Sequence, residues 1–213
     1  DNASRGTGTR EVIDRCGDPR VRVVTEPVPG ISRARNRGVS VARGDILAFT
    51  DDDVMVDPGW LTGLRRGFAR SPEVGCVTGI VPAGELRTAT QRWFEARVSW
   101  GGLTRAQTYR LADPPPDVAL FPFELGRYGT GANMAITTAT YRNIGAFDER
   151  LGVGTPTKGG EDLDYFLRVL LSGAALAVEP SAVLWHRHRA DPQALHAQVV
   201  GYGRGLGAML TKV

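Results

Sequence analysis

The stretch Ile46-Leu47-Ala48-Phe49-Thr50-Asp51-Asp52-Asp53 decides the fold: an apolar run with strand character ends in three adjacent carboxylates. Burying those charges without a counter-ion is prohibitively costly, so they belong at the carboxyl end of a buried strand, facing a cation or a cationic ligand. Ligands of open α/β sheets bind at that end. Asp51 and Asp53 are two residues apart, so in an extended chain they point the same way and reach one metal site. A solvated acidic turn before Pro58 would read the same in isolation. The rest of the chain separates the two readings.

Upstream of this strand, Pro29-Gly30 breaks the chain and Ser32 is a candidate N-cap for a helix running to Arg43. Ile31, Ala34, Gly38 and Ala42 form one face of small residues suited to close packing on a sheet. Earlier still, Thr9 to Arg15 reads as a short helix and Val21 to Val24 as a short strand. Downstream, Pro58 to Ala69 is helical, Val74 to Val81 a strand, and Arg87 to Trp100 a helix. Leu103 to Tyr128 is irregular, broken by Pro114-Pro115-Pro116 and Pro122, as long functional loops are. Gly129 to Ile136 enters a strand and Thr138 to Ile144 is a short helix. The glycine-rich segment from Gly145 to Gly160 has the texture of a lid. Leu163, Phe166, Leu167, Leu170 and Leu171 fit an amphipathic helix closed by Gly173. Leu176 to Val178 and Ala182 to Trp185 are strand-like, and helical texture returns from Pro192 to Leu210. Alternation of strand and helix over the first eighty residues predicts a parallel sheet.

The chain has 213 residues, 42% of them hydrophobic, enough for one core and one domain. Its net charge of +3 comes almost wholly from Arg, with Lys158 and Lys212 the exceptions. Arginine forks suit phosphates, but the charges are dispersed and form no basic run, so nucleic acid is not an expected partner. Cys16 and Cys76 have no metal-ligand spacing, and Cys76 sits in an apolar strand as a reduced core thiol. With no signal peptide and no apolar span of about 18 residues, the reading is a cytoplasmic location.

Two further clusters can carry chemistry. Gly159-Gly160-Glu161-Asp162-Leu163-Asp164 opens the best helix of the chain. Acids there complement the helix dipole whatever their role. A carboxylate held in that position is also suited to act as a general base. Periodicity leaves Asp162 and Asp164 as contenders and turns Glu161 most nearly away from the apolar stripe. Trp185-His186-Arg187-His188-Arg189 follows a strand, so His186 and His188 share a face and either could complete a metal site. A polar exit from the core is the plainer account of such a histidine. Carboxylate ligands suit Mg²⁺ or Mn²⁺, which neutralise diphosphates.

In their order and spacing these pieces resemble an inverting glycosyltransferase of family 2 with the GT-A nucleotide-diphospho-sugar fold. The resemblance is carried by Asp1-Asn2-Ala3-Ser4, Pro29 to Gly38, Gly44-Asp45 leading into Asp51-Asp52-Asp53, Gly160-Glu161-Asp162 and Trp185-His186. It implies a Rossmann-like α/β architecture, a mixed and mostly parallel sheet flanked by helices, in one domain over 1–213. A nucleotide-binding half would span 1–80, an acceptor and catalytic half 81–190, and a C-terminal helix 191–213. It further implies that Asp162 is the catalytic base and that Asp53 and His186 hold Mn²⁺ or Mg²⁺. Asp1 would contact the nucleotide base, Asp51 would lie near the ribose and nucleotide with Asp52 beside it in the donor site, and Arg33 or Arg35 would approach the diphosphate. The expected partners are a nucleotide-diphospho-sugar donor and a saccharide or lipid-linked acceptor, as in polysaccharide biosynthesis, with peripheral contact at the inner membrane face. Such proteins begin with a strand and a Pro-Thr-Tyr-Asn-like turn ahead of the Asp1 motif, so the chain is expected to be incomplete at its N-terminus. A non-catalytic sugar-nucleotide-binding module and a metal-dependent nucleotidyltransferase are the competing readings.

Overall fold

A computed structural model describes residues 1–98 and 100–212. Ser99, within the helix predicted over 87–100, and Val213, at the end of the predicted C-terminal helix, lie outside the described residues. The strands are β1 (Ile46–Thr50), β2 (Val54–Val56), β3 (Val74–Ile80), β4 (Gln107–Tyr109), β5 (Asn133–Thr137) and β6 (Ala175–His186). The α-helices are α1 (Gly8–Cys16), α2 (Ile31–Val41), α3 (Trp60–Phe68), α4 (Ala89–Glu95), α5 (Thr138–Ile144), α6 (Glu161–Leu171) and α7 (Pro192–Leu210).

The sheet order is β1-β5-β3-β6-β2, with β4 also paired to β6. β5 is antiparallel to both β1 and β3, whereas β3 and β6 are parallel. The fold is therefore the expected α/β arrangement with a mixed sheet, but its ladders are less parallel than the sequence predicts. β1, α3 and β3 do form a crossover unit whose strands run the same way. β5 is inserted between them, so two parallel-running strands meet through an antiparallel neighbour.

Period-two alternation distributes the core over both faces of this sheet. Leu47, Met134, Ile136, Leu176 and Val178 join Phe147, Tyr165, Phe166 and Leu170 of the α6 layer. Ala135, Ala175 and Ala177 face the opposite way, under Trp60 and Leu64 of α3. Val74 and Cys76 fall on different faces because the β3–β6 register shifts between them. Burial pushes the Cys76 thiol well above its ordinary range, in keeping with an inert core thiol.

Several predicted elements shift. Val21 to Val24 forms no strand; the backbone there meets the chain start through an isolated parallel bridge between Asn2 and Glu26. Ser32 is not an N-cap, because Gly30 caps α2 and the Ser32 hydroxyl is buried, donating to Leu151 O at 2.9 Å. The helix predicted from Arg87 shrinks to Ala89–Glu95, held at its start by a Thr88/Gln91 capping box. The irregular stretch contributes β4 to the sheet and a short 3₁₀ turn over Leu125–Tyr128. The two last strand segments are one strand that continues through Pro180.

The glycine-rich segment before α6 is stitched in place. Ile31 N donates to Val153 O, Gly152 N to Gly159 O, and Asn36 exchanges hydrogen bonds with the Phe147 backbone. Gly160 takes φ +90, and a Cβ there would lie 2.4 Å from Gly205 O of α7. Only glycine allows α7 to cross the start of α6 so closely. This crossing and β6 set the walls of the site.

Candidate functional site

A cleft of about 1060 Å³ opens where β1 and β6 end and α6 begins, and its lining includes Asp51, Asp53, Glu161, Asp162 and His186. Five of the seven residues predicted for the site, Arg35, Asp51, Asp53, Asp162 and His186, thus meet in one concavity although up to 151 positions separate them in sequence. Arg189 and Lys158 add positive charge to the same lining.

Asp51 is half-buried and its carboxyl is raised above the usual range. Burial is the main cause; Arg35 opposes it, while Asp53, Asp162 and Asp52 reinforce it. The acids thus feel one another, and a cation entering among them would relieve that repulsion. Asp162 is held by two backbone amides: Oδ2 accepts from Gly131 N at 2.8 Å and Oδ1 from Leu163 N at 2.9 Å. Each oxygen keeps a further lone pair for a proton.

Arg35, expected near the diphosphate, also lines the cleft, and its guanidinium is taken up by protein partners. Its guanidinium is buried, donating to Glu161 Oε1 at 3.0 Å and Gly131 O at 3.2 Å, with Asp51 Oδ1 at 3.8 Å and the Phe147 ring 5.5 Å away. Glu161, predicted to face away from the core, is buried against this guanidinium. Its carboxyl is pushed up to about 7, chiefly by burial and then by Asp162, with Arg35 pulling it down. The periodicity of α6 alone gave no sign of this, because the burying surface comes from α2. Asp164, the other contender for the base, is excluded by its buried pairing with Arg168 at 2.9 Å and Lys212 at 2.7 Å.

Asp52 is exposed in the turn between β1 and β2 and does not line the cleft. Asp1 is exposed and lines a separate hollow of about 370 Å³ with Arg20, Arg22, Glu26 and Arg37. Neither joins the acid cluster.

His186 Nε2 lies 3.4 Å from Asp53 Oδ1. Burial draws its imidazole below the ordinary value, favouring the neutral form that binds metals, while Asp53 pulls the other way. His188, equally eligible by sequence, is fully buried on the far side of His186, next to Glu95. Carboxylate and imidazole facing an open cleft suit a hard divalent cation. Among the described residues no three His, Cys, Asp or Glu side chains converge on one point. The remaining positions would fall to solvent and ligand oxygens, the usual arrangement for Mg²⁺ at phosphates.

One buried residue behind the site has no sequence signal. Asn133 accepts from Trp60 Nε1 at 2.8 Å and donates to Ile80 O and Ala182 O at 3.0 and 2.9 Å, tying β3, β5 and β6 together beneath the cleft. Among the described residues no helix is long and apolar enough to cross a membrane.

The family described as glycosyl transferase family 2 matches residues 1–129 of the chain. A pre-mycofactocin glycosyltransferase of Mycobacterium tuberculosis is 27% identical over 177 residues, covering 82% of this chain and 33% of that protein. Polypeptide N-acetylgalactosaminyltransferase 5 of Rattus norvegicus is 26% identical over 182 residues, covering 81% of this chain and 19% of that protein. The chain thus spans a third or less of the length of these relatives. Among solved structures, the mannosyltransferase PcManGT from Pyrobaculum calidifontis, in complex with GDP-Man and Mn²⁺, superposes with a TM-score of 0.63 at 16% identity, covering 99% of this chain and 52% of that one. Glucosyl-3-phosphoglycerate synthase from Mycobacterium tuberculosis, in complex with Mg²⁺ and UDP, gives 0.57 at 19% identity, covering 100% and 66%. At such identities these structures speak for the fold.

Proposed function

The chain belongs to glycosyl transferase family 2, and from that premise we propose that its acid-lined cleft moves a sugar from a nucleotide-diphospho-sugar to an acceptor hydroxyl with inversion at the anomeric carbon. The reading is carried by one juxtaposition: Asp162, fixed by two backbone amides, opens into the cleft that Asp51, Asp53 and His186 also line.

In this reaction Asp162 accepts the proton of the acceptor hydroxyl as its oxygen bonds to the anomeric carbon. The bond from that carbon to the diphosphate oxygen breaks on the opposite face, and a single displacement inverts the configuration. Asp53 and His186 would hold Mn²⁺ or Mg²⁺, which offsets charge on the departing diphosphate. Asp51 lies on the nucleotide side of that pair, and Arg35 keeps Asp51 and Glu161 in register from below. The acceptor, a saccharide or lipid-linked glycan, enters along the wall of Phe123, Val153 and Tyr202. Support for the donor class comes from the family and from solved neighbours that hold GDP-Man or UDP with Mn²⁺ or Mg²⁺.

The test is a panel of nucleotide sugars with Mn²⁺ or Mg²⁺, scored by protection against thermal unfolding. Binding to the native state alone raises stability by about 2.7 kcal/mol at a hundredfold excess over Kd. One or more donors should protect in a metal-dependent way, and Asp53→Asn should abolish the effect. No protection by any donor in either metal would remove the reading.

A further inference from the structure

We propose that Glu95 and His188 are positioning residues that lock His186 in the tautomer whose bare Nε2 faces Asp53; the use of that nitrogen for metal rests on the reading above. The contacts form one line: Glu95 Oε2 lies 2.8 Å from His188 Nε2, His188 Nδ1 lies 3.1 Å from His186 Nδ1, and His186 Nε2 lies 3.4 Å from Asp53 Oδ1.

The direction of this line follows from what each group can donate. A carboxylate accepts and has no proton to give, so the His188 hydrogen sits on Nε2. With one hydrogen on each ring, His188 then has a bare Nδ1. Two bare nitrogens would repel at 3.1 Å, so the His186 hydrogen must lie on Nδ1 and point at His188. That leaves Nε2 of His186 unprotonated, beside an equally bare Asp53 oxygen. Nitrogen and carboxylate oxygen lie 3.4 Å apart at the cleft wall, where a cation between them would satisfy both. Ligating histidines commonly have their second nitrogen held in this way, and such partners tune metal affinity. In this chain the holding carboxylate acts through a second ring.

The surroundings hold the relay in place. The His188 side chain is 0% exposed and packs edge-on against Phe94 at 4.8 Å, with Trp100 6.3 Å away. Its carbonyl accepts from Gln91 Nε2 at 3.1 Å, so α4 grips the same residue through backbone and ring. The His186 backbone is pinned on both sides, its N–H to Pro82 O and its carbonyl to Gly84 N. Glu95 closes α4, which the Thr88/Gln91 capping box orients.

The experiment uses protein labelled with ¹⁵N-histidine, metal-free at pH 8, in which long-range couplings report which nitrogen of each ring carries hydrogen. His186 should carry it on Nδ1. Glu95→Leu should erase that preference, and Glu95→Gln, whose amide oxygen still accepts, should restore it. Mn²⁺ affinity, followed by electron paramagnetic resonance with UDP and with GDP, should fall about 10- to 100-fold in Glu95→Leu and recover in Glu95→Gln. Melting temperatures show that the variants are folded. Hydrogen on Nε2 of His186 in the wild type overturns the proposal without any variant. So does an unchanged tautomer in folded Glu95→Leu. If the wild type takes up no Mn²⁺ with either nucleotide, the metal reading fails, and the ring spectrum still decides the tautomer.

Discussion

Asp162 Oδ2 accepts a 2.8 Å hydrogen bond from the backbone amide of Gly131. The candidate base on α6 is thereby tied to the turn that enters β5, and Arg35 donates to the carbonyl of the same glycine. If Asp162 takes the acceptor proton, Asp162→Asn should lower turnover by about 10²- to 10⁴-fold while leaving donor-dependent thermal protection intact. Steady-state kinetics beside a melting curve measure both; unchanged turnover would contradict the assignment.

Gly131 itself should be sensitive. A Cβ there would lie 2.8 Å from an Arg35 guanidinium nitrogen and 2.9 Å from Asp162 Cβ, both in crowded positions. Gly131→Ala should cost about 1 to 3 kcal/mol in chemical denaturation. It should also slow turnover, because the added methyl displaces the base.

The Glu161 carboxyl, raised from its ordinary value to about 7, makes a signed prediction for stability against pH. Between roughly pH 4.5 and pH 7 the folded protein binds a proton that the unfolded chain has released. This contribution is therefore full at low pH and is lost as pH rises through 7. Its slope is at most about 1.4 kcal/mol per pH unit. Glu161→Gln should flatten that portion of the urea-denaturation profile, and an unaltered profile would show that Glu161 ionises normally in the fold.

Asn133 bridges three strands and receives Trp60, so its removal strands several buried polar groups. Asn133→Leu, which keeps the branched shape and removes the polar atoms, should destabilise by at least about 2 kcal/mol. A loss under 0.5 kcal/mol, on the scale of ordinary surface changes, would mean that water takes over its role.

Much of this was legible in the sequence because local pattern and global position agreed. The apolar run ending in Asp51 to Asp53 announced a strand tip, and the Leu163 to Leu171 stripe announced α6 with its acids at the mouth. What stayed hidden depended on partners far along the chain. Glu161 looked solvent-facing on its own helix, since only α2, more than a hundred residues earlier, supplies the Arg35 that buries it. His186 and His188 were equivalent by alternation, and Glu95 on α4 separates their roles. The antiparallel insertion of β5 between β1 and β3 had no local signature either, because strand order is decided by loops and packing.

The central claim is that Asp53, His186 and Asp162 serve one activated donor. Crystals soaked with Mn²⁺ and a protecting nucleotide sugar, with data collected at the manganese absorption edge, test it directly. The account predicts an anomalous peak within bonding distance of Asp53 and His186 Nε2, touching the diphosphate, with the Asp162 carboxylate on the opposite face of the anomeric carbon. A peak elsewhere, or a donor whose anomeric carbon lies out of reach of Asp162, would contradict it.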